Sequence, residues 1–347
     1  MAEKLRVGIL GLTHDHVWGN LADLKASPLG ELVAAADPNA PLRDRVQSEY
    51  GCPQTFDSYE AMLDQVSLDA VYIFADNATG AKLAEMAAER GIHVMVEKPM
   101  AADLEGADRM LAAARMAGTL LMVNWPFAWW PGLQKAMAMA RGGEIGQLFC
   151  VKYRAAHAGP KAIGCSPYFY NWLYDADLNG AGALMDYCCY GAALARYLLG
   201  QPSRVVGVAG RLLQHYITVE DNAVIVMQWP NAVAIAEASW TQIGHMTSYV
   251  TAIYGSEGTL VVEPGANGRV LLATREHEDG IPVEVPPMPE EMRSATAYFL
   301  GHVAQGQPIE GLCSAEVGRD AQEILEAGLI SAADGVAVSL PLPLAYM

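Results

Sequence analysis

Short apolar runs alternate with helix-like stretches through the first third of the chain, and this alternation constrains the fold more than any other feature. The runs cover residues 5–10, 31–36, 70–74, 92–96 and 119–123. They are continuously apolar, as strands buried on both faces of a sheet must be. Helical stretches such as 78–90 and 104–117 lie between them. Repeated strand–helix–strand units predict an α/β domain at residues 1–124, built on a doubly wound parallel sheet.

The pattern changes after Trp125 and Pro126. Longer apolar segments then follow one another without intervening helices, at residues 204–213, 221–229, 232–240 and 248–254. Pro230-Asn231 is a hairpin signal between two of them, and successive strands of this kind form antiparallel sheets. Helices are expected to flank the sheet, at 181–199, 290–304 and 315–333. The prediction is a second, α+β domain at residues 125–347 with a large, open antiparallel or mixed sheet.

Composition excludes several classes of function. The formal charge is 22 − 39 = −17, and so acidic a surface repels the phosphates of nucleic acids. No apolar run is long enough to span a bilayer, and the N-terminus lacks the apolar stretch and cleavage site of a signal peptide. The six cysteines form no CxxC pair. We therefore expect a reduced, cytoplasmic protein with no nucleic-acid or membrane partner.

The turn after the first strand carries a degenerate dinucleotide-binding motif, Gly-Ile-Leu-Gly-Leu-Thr-His-Asp-His at residues 8–16. Gly11 fits the tight turn, whereas Thr13 and His16 stand where the second and third glycines of GxGxxG would be. The Thr13 hydroxyl could donate to a phosphate, and Asp15 could cap the following helix. An ordinary strand–helix turn explains these residues equally well.

Asp37 comes directly after the second strand and points to a particular cofactor. In a dinucleotide fold, a carboxylate at this place accepts hydrogen bonds from both ribose hydroxyls and repels a 2′-phosphate. No arginine or lysine follows until Arg43. These residues favour NAD over NADP, and a turn aspartate before Pro38 is the alternative interpretation.

His14 and His16 raise the question of a metal. Their i, i+2 spacing suits two ligands on a strand but not on a helix, and a helix is expected to begin here. No cysteine lies nearby to complete a ligand set. We therefore expect no metal at this turn.

The most specific local signal is Glu97-Lys98-Pro99, which follows the strand at 92–96. The carboxyl ends of parallel strands face the ligand crevice of such a sheet. A lysine there can donate a proton or a hydrogen bond to a substrate oxygen, and partial burial is expected to lower its pKa toward neutrality. An exposed Glu–Lys pair at a strand end is the alternative.

Placed between a parallel half and an antiparallel half, Glu97-Lys98-Pro99 resembles the motif of the Gfo/Idh/MocA family. That family is named for glucose–fructose oxidoreductase, inositol dehydrogenase and a rhizopine catabolism protein. The resemblance covers nearly the whole chain, including Gly-Glu-Ile-Gly at 143–146 and the glycine-rich turn and helix at 180–190. It implies a Rossmann domain that binds NAD, and a second domain that binds substrate and forms oligomers. It also implies dehydrogenation of sugars, polyols or cyclitols.

The resemblance further implies catalytic residues. Lys98 matches the lysine of the family motif, and Asp186 matches the aspartate of the family's Asp-x-x-x-His helix, whose histidine position is Tyr190. Residues four apart share a helix face, so Asp186 and Tyr190 are both expected to point at the crevice. Tyr190 would serve as acid or base if the Lys98 cation lowers its pKa. A helix acid and a packed aromatic side chain form the alternative.

The predicted cofactor contacts are Gly11, Thr13, His14, Asp37, Asn77, Glu97, Lys98 and Asn124. Some positions in and beside this set depart from the family's pattern. Ala75-Asp76-Asn77 replaces the family's Thr-Pro-Asn, and Gly80 replaces a frequent histidine. Trp172 and Tyr174, in an aromatic stretch, suit the face and hydroxyls of a carbohydrate or else belong to a plain crossover loop.

Three functions remain open. The first is hydride transfer between NAD and a carbinol, with Tyr190 and Lys98 handling the hydroxyl proton. The second is redox-neutral cleavage of a glycoside by an enzyme with tightly bound NAD. The third is a non-catalytic ligand sensor, which the lost glycines and the missing histidine motivate. Apolar residues such as Val233 and Ile235 on the outer sheet face predict a homodimer or homotetramer.

Overall fold

The computed structural model describes residues 3–343. The strands of the first domain are Leu5–Leu10 (β1), Gly30–Ala36 (β2), Thr55–Phe56 (β3), Ala70–Ile73 (β4), His93–Glu97 (β5) and Leu121–Asn124 (β6). Its helices are Val17–Ala26 (α1), Ala40–Tyr50 (α2), Tyr59–Gln65 (α3), Asn77–Glu89 (α4) and Leu104–Ala117 (α5). The strands are parallel in the order β3-β2-β1-β4-β5-β6, which confirms the doubly wound sheet. The sequence pattern does not predict β3, because two residues show no periodicity.

The second domain is built on a nine-stranded sheet. Its strands are Leu148–Ala156 (β7), Arg204–Gly210 (β8), Asn222–Gln228 (β9), Val233–Ser239 (β10), Tyr249–Gly255 (β11), Thr259–Val262 (β12), Val270–Ala273 (β13), Ile281–Val283 (β14) and Val338–Ser339 (β15). They lie in the order β14-β13-β12-β11-β7-β10-β9-β8-β15. Within residues 3–343, β7 and β10 form the one parallel pair of this sheet. The sheet is therefore mixed and mostly antiparallel, as predicted.

The strands of this sheet do not all pair in chain order. The hairpin at Pro230-Asn231 forms as expected, with β9 antiparallel to β10. The next strand, β11, pairs instead with β7, which lies between β10 and β11. β7 takes this central place because its alternate side chains, including Val151 and Tyr153, are buried. Strands consecutive in sequence are thus separated in space.

The second domain has six helices among residues 3–343; three of them pack on the sheet, and others pack against α4 and α1 of the first domain. The six helices are Pro131–Arg141 (α6), Pro167–Leu173 (α7), Ala176–Asn179 (α8), Cys189–Leu199 (α9), Ala295–Gln305 (α10) and Ala315–Asp334 (α11). The helix expected at 290–304 is shorter than predicted, because the Ser294 hydroxyl accepts from the Ala297 N–H and caps a new helix there. The helix expected at 181–199 begins with a π-helical turn at Leu184–Cys188. Among residues 3–343, no helix combines the length and apolarity needed to cross a membrane.

Helix α11 joins the two domains. It packs against α5 of the first domain and against α9 and β8 of the second. Its approach to β8 requires glycine, because a Cβ on Gly207 would lie 2.1 Å from the main-chain oxygen of Gly328. The two domains also meet where Lys98, just beyond β5, contacts Asp186 in the π-helical turn. The candidate site lies at this second junction.

Candidate active site

A cavity of about 210 Å³ lies between the end of β5 and the strands β7 and β11. Aromatic rings, two prolines and aliphatic side chains form most of its wall. The lining residues with polar side-chain atoms other than indole are His16, Lys98, Tyr153, His157, Cys165, Asp186, Tyr187, Tyr190 and Tyr249. Lys98, Asp186 and Tyr190, the three residues predicted to be catalytic, therefore line one cavity between the two domains.

Lys98 is almost fully enclosed, with 2% of its surface exposed. Its Nζ donates to the main-chain oxygen of Asp186 at 3.0 Å and to Asp186 Oδ1 at 2.5 Å. A lysine ammonium carries three donors, so one N–H is left over. No oxygen or nitrogen atom of another residue within 3–343 accepts it, and the ring centroids of Tyr190 and Tyr187 lie 5.0 and 5.6 Å from Nζ. A substrate oxygen in the cavity can therefore take the third donor.

The charge of Lys98 differs from the sequence-based expectation. Burial lowers the pKa of this lysine, as predicted, but the Asp186 carboxylate, with smaller contributions from Cys189 and Glu97, raises it by more. The net effect is a pKa above that of a free lysine. The expected lowering is wrong because the lysine has a carboxylate partner that local sequence does not reveal. Lys98 is an ammonium at neutral pH and acts as a donor.

The π-helical turn explains how Asp186 can hold Lys98 through two atoms. A π turn interrupts the regular i→i−4 hydrogen-bond ladder of a helix, and such turns occur often at functional sites. The main-chain oxygen of Asp186 accepts from Lys98 Nζ and, at 3.0 Å, from the Cys189 thiol. Asp186 Oδ2 accepts from the indole Nε1 of Trp240 at 3.3 Å. Trp240 therefore fixes the carboxylate through one oxygen. The other carboxylate oxygen and the main-chain oxygen of Asp186 together orient the Lys98 ammonium.

Tyr190 reaches the cavity from within an aromatic cluster. Its ring stacks on Tyr153 with centroids 5.7 Å apart and meets Phe127 edge-on at 5.0 Å. Lys98 Nζ lies 5.0 Å from the Tyr190 ring centroid, over the π face. Burial, followed by the nearby Cys189 and tyrosine side chains, raises the pKa of Tyr190 well above its usual value. The expected lowering by Lys98 is wrong, and a phenol that stays protonated at neutral pH cannot serve as the base.

His157 lines the same cavity, although no sequence motif predicts it. It directly follows β7, and its ring meets Tyr187 edge-on at 5.0 Å. His157 Nδ1 accepts from the Gly159 N–H at 2.8 Å, so the neutral ring carries its hydrogen on Nε2. Burial lowers the pKa of His157 to about 4. At neutral pH it is therefore a second uncharged donor in the cavity wall.

A second cavity, of about 500 Å³, shares the lining residues His16 and Pro126 with the first. Glu97 and Asn124, two predicted cofactor contacts, also line it. Trp129 Nε1 donates to Asn124 Oδ1 at 2.9 Å, and Asn124 Nδ2 donates to Glu97 Oε1 at 2.5 Å. Glu97 Oε2 lies 3.1 Å from His16 Nδ1. We call this connected set, Trp129–Asn124–Glu97–His16, the polar chain.

Asp37 lies where a ribose-binding carboxylate is expected, at the end of β2, but it has no exposed surface. Its Oδ2 accepts from the Leu12 N–H at 2.6 Å. Its Oδ1 accepts from both the main-chain and the side-chain nitrogen of Asn39, at 2.7 and 2.8 Å. A ribose can reach Asp37 only after the surrounding side chains move.

His14 and Asn77, also predicted to contact a cofactor, are enclosed by residues of the second domain. The His14 ring packs against Phe169 and Trp172, with centroids 4.2 and 5.7 Å away. Asn77 Nδ2 donates to the main-chain oxygen and to Oδ1 of Asn179, at 3.1 and 2.8 Å. These contacts bridge the crevice at the ends of β1 and β4.

The first turn nevertheless has the shape that a dinucleotide requires. Gly11 has φ +84°, and a Cβ there would lie 2.5 Å from the main-chain nitrogen of Ala75, so only glycine fits. Thr13 is half-buried, and its hydroxyl has one long contact, 3.5 Å to the Phe74 oxygen. With Glu97 and Asn124 on the adjoining cavity, the residues fit a nicotinamide cofactor at the ends of β1, β5 and β6.

His14, His16 and Glu97 form a cluster in which one potential metal-ligating atom of each residue lies within 4.8 Å of the others. Local spacing could not predict it, because Glu97 comes from β5. Hydrogen bonds already connect its members: His14 Nδ1 accepts from the His16 N–H at 3.2 Å, and His16 Nδ1 faces Glu97. The arrangement is therefore explained by hydrogen bonding alone.

The aromatic stretch lies beside the cavity, but it presents residues other than those predicted. Phe169 and Leu173, four apart on one face of α7, line the cavity, whereas Trp172 and Tyr174 do not. Trp172 is buried against Phe169 with ring centroids 5.2 Å apart. The Tyr174 hydroxyl accepts from the Lys161 N–H at 3.2 Å. Substrate contact through Trp172 and Tyr174 would need a rearrangement of α7.

Comparison with protein families matches most of the chain to one family. The family model described as the oxidoreductase family with an NAD-binding Rossmann fold matches residues 5–125. The model described as the Gfo/Idh/MocA C-terminal domain matches residues 133–261. Together they include Lys98, Asp186 and Tyr190.

Individual relatives act on sugars according to their names. A D-xylose 1-dehydrogenase (NADP(+)) from Haloferax volcanii is 32% identical over 57% of this chain, which spans 58% of that relative's length. A dTDP-3,4-didehydro-2,6-dideoxy-alpha-D-glucose 3-reductase from Streptomyces violaceoruber is 28% identical over 94% of both chains. The solved structure of a levoglucosan dehydrogenase with NADH and levoglucosan has a TM-score of 0.84 at 22% identity, covering 98% of this chain and all of that one. That structural likeness shows a shared fold.

Proposed function

Because this chain belongs to the Gfo/Idh/MocA family of oxidoreductases, we propose that it transfers hydride between a nicotinamide cofactor and a carbinol of a sugar, polyol or cyclitol. The family's NAD-binding domain and the sugar-acting names of its relatives support this proposal. The nicotinamide, when bound, supplies the hydride chemistry, and the protein supplies binding, orientation and proton handling. Gly11, Thr13, Glu97 and Asn124 are the residues proposed to hold it.

The free third donor of Lys98 is the observation on which the proposal chiefly rests. Two of the three N–H groups are fixed by Asp186, so the remaining one has a defined direction from a side chain that lines the cavity. An ammonium so held stabilises negative charge that develops on a carbinol oxygen as its proton leaves. A purely ligand-sensing protein has no need for a buried ammonium held in this way.

We further propose NAD as the preferred cofactor. Asp37 lies at the end of β2, and its negative charge disfavours a 2′-phosphate there. Arg43, the nearest cation in the sequence, donates to the main-chain oxygen of Asp37 at 2.7 Å and is engaged in the turn. A relative named for NADP(+) makes the comparison of both cofactors essential.

The proposal is tested in two steps on the purified full chain. First, the protein is denatured and the small molecules it releases are identified by mass spectrometry. Second, D-xylose, levoglucosan and myo-inositol are each incubated with the folded protein and NAD or NADP, while reduced cofactor is measured by absorbance. We expect at least one of these compounds to be oxidised with NAD, which is seen as formation of NADH. Absence of nicotinamide nucleotide binding by calorimetry, together with absence of turnover, would refute the proposal.

A second candidate, redox-neutral glycoside cleavage with permanently bound NAD, is favoured by one observation. The second domain bridges the cofactor crevice through His14, Asn77 and Asp15, whose Oδ2 accepts from the Ser166 N–H at 2.7 Å. A cofactor beneath these contacts exchanges only when they break. Release of stoichiometric NAD from denatured protein, with cleavage of a glycoside in the absence of added cofactor, would favour this candidate.

We also propose that the chain forms a homo-oligomer through the outer face of the nine-stranded sheet. That face exposes large apolar side chains on several strands, namely Phe149, Val206, Val208, Val233 and Val261. An exposed apolar patch of this kind usually marks an interface, and homo-oligomers most often use the same patch on both copies.

The six cysteines are unpaired thiols, and free thiols are typical of proteins in a reducing compartment.

Replacing Val208 with glutamate is expected to dissociate this oligomer. Val208 is 68% exposed and lies on β8, so a carboxylate is tolerated in a monomer but would be buried without a partner in an interface. Light scattering coupled to size exclusion should show a dimer or tetramer for the wild type and a smaller species for Val208→Glu. The control is Met116→Glu, because Met116 is 90% exposed on α5 of the other domain. A monodisperse wild-type monomer would contradict the proposal.

A further inference from the structure

The polar chain ends in a side chain that the proposed function leaves without a role. His16 directly precedes α1 and lines both cavities, with 39% of its side chain exposed. Its carboxylate neighbour Glu97 is only 4% exposed. A histidine that lines a cavity while a buried carboxylate holds one of its ring nitrogens has the arrangement of an oriented proton acceptor.

The direction of every hydrogen bond in the polar chain follows from its far end. An indole nitrogen can only donate, so the oxygen of the Asn124 amide must face Trp129. The amide nitrogen of Asn124 therefore faces Glu97 and donates to it. The carboxylate of Glu97 accepts at both oxygens, and its second donor is His16 Nδ1.

This direction fixes the tautomer of neutral His16. With its hydrogen on Nδ1, the ring keeps an unshared electron pair on Nε2. Nε2 has no hydrogen-bond partner among residues 3–343. His14 and His157 have the opposite tautomer, because the Nδ1 of each accepts from a main-chain N–H. Of these three histidines, only His16 offers an acceptor.

Several other titratable groups of the first cavity do not offer such an acceptor at neutral pH, among them Tyr153 and Tyr187, because burial raises the pKa of each phenol well above its usual value. Lys98 is an ammonium and Tyr190 is a protonated phenol, for the reasons given above. Both carboxylate oxygens of Asp186 are occupied, by Lys98 and by the Trp240 indole. Burial raises the pKa of the Cys165 thiol to about 11, so it too keeps its proton.

We propose that His16 Nε2 accepts the hydroxyl proton of the substrate, and that Glu97 and Asn124 are positioning residues that hold the required tautomer. Oxidation of a carbinol then breaks the O–H bond, and its proton forms an N–H bond on His16. The C–H bond breaks with its electron pair, which leaves as hydride to the nicotinamide of the proposed function. The carbon–oxygen double bond forms, and Lys98 stabilises the oxygen through its third N–H. In reduction the same proton returns from His16.

This inference depends on the proposed function for the identity of the reaction, but the tautomer can be tested separately. The full-length protein with ¹⁵N-labelled histidine is examined at neutral pH by long-range ¹H–¹⁵N NMR, which distinguishes the Nδ1–H from the Nε2–H form. The His16 ring should show the Nδ1–H form, as should the His302 ring, whose Nδ1 donates to the Tyr298 oxygen at 2.7 Å, and only the His16 signals should vanish in His16→Asn. An Nε2–H form for His16 would overturn the proposal, whether or not any substrate has been found.

Glu97→Gln tests the positioning role without a change in size. The glutamine oxygen would face the Asn124 amide nitrogen, which would turn the glutamine NH₂ toward His16 Nδ1. His16 Nδ1 must then accept, so its hydrogen moves to Nε2 and the proton acceptor is lost. We expect the NMR signature of His16 to change to the Nε2–H form. A purely structural role of Glu97 predicts no such change of tautomer.

Kinetics on the panel carbinols complete the test. We expect His16→Asn and Glu97→Gln each to lower turnover in oxidation by about 100-fold or more, as loss of a general base does. His277→Asn, at an exposed turn, is the matched control and should resemble the wild type.

Two results would overturn the assignment. One is turnover of His16→Asn within threefold of the wild type on a carbinol that the wild type oxidises. The other is stoichiometric Zn²⁺ retained by the wild type and lost in His16→Asn, because a metal on Nε2 would occupy the electron pair. If the wild type neither binds a nicotinamide nucleotide nor oxidises a carbinol, the proposed function fails, and the NMR result alone decides the tautomer of His16.

Discussion

Lys98→Met is expected to lower the turnover of the folded protein about 1,000-fold, within the range seen when one donor to a developing oxyanion is removed. The third N–H of Lys98 has no acceptor among residues 3–343, so the substrate oxygen is its natural partner. The negative charge on that oxygen is greater in the transition state than in the ground state. The ammonium therefore stabilises the transition state more strongly than the bound substrate. The loss should therefore appear mainly in kcat and only weakly in KM.

The measurement is steady-state turnover of the best panel carbinol, with thermal unfolding of the same samples to confirm folding. Methionine fills a similar volume and Asp186 keeps its bond from Trp240, but the carboxylate, 5% exposed, loses its counter-charge, so a loss of about 3–5 kcal/mol of unfolding free energy is expected beside the loss of turnover. Lys82→Met, at an exposed position of α4, is the matched control and should retain wild-type kcat. A Lys98→Met enzyme with wild-type kcat would remove the foundation of the proposed function.

The fold could be predicted from sequence because buried positions in strands and helices leave a regular pattern of apolar residues along the chain. The continuous apolar runs of the first domain became β1, β2, β4, β5 and β6, with bounds within two residues of the prediction. The position of Lys98 followed from the same pattern, since the carboxyl ends of parallel strands form the crevice. What periodicity cannot express is pairing between distant strands, so the central place of β7 required the structure.

The chemistry of the site was less predictable, because it depends on contacts between residues far apart in the chain. Lys98 and Asp186 are 88 residues apart, and their contact reverses the direction of the lysine's pKa shift. Tyr190 appeared to be a base when considered beside Lys98 alone. The rings that bury it, including Tyr153 on β7, come from another part of the sequence.

His16 shows the same limitation most clearly. His16 stands at the third glycine position of the dinucleotide-binding motif. From sequence alone it is interpreted as a departure from that motif or as one of two metal ligands. Its partner Glu97 is 81 residues away and belongs to the very motif that identifies the family. The histidine expected on the helix at position 190 is absent, while one is present on the opposite wall. The motifs located the site, but only the assembled fold shows which of its groups can accept a proton.

Asp186→Leu is expected to cost about 3–5 kcal/mol of unfolding free energy at neutral pH, because it leaves the Lys98 ammonium buried without its counter-charge. Lys98 is 2% exposed, so water cannot replace the carboxylate. Asp186→Asn keeps an acceptor of similar shape and should lose less. Asp177→Leu, at an exposed position of α8, is the control and should change stability little.

The stability difference between the wild type and Asp186→Leu should change with pH, whereas a simple loss of packing would give a difference that does not depend on pH. In the wild type, the raised pKa of Lys98 contributes stability in full below the pKa of an unfolded lysine, about 10.4, and that stability is lost as the pH rises through the folded-state value. In Asp186→Leu, burial without a partner lowers the pKa of Lys98, so its penalty begins to shrink once the pH passes that lowered folded-state pKa and is gone when the unfolded lysine has also lost its proton. The stability gap between the two proteins, measured by denaturant unfolding, should therefore begin to narrow below the pKa of an unfolded lysine, about 10.4, and continue to narrow above it. A gap that stays constant from neutral to alkaline pH would mean that Asp186 stabilises the fold by packing, and that Lys98 is not held as an ammonium.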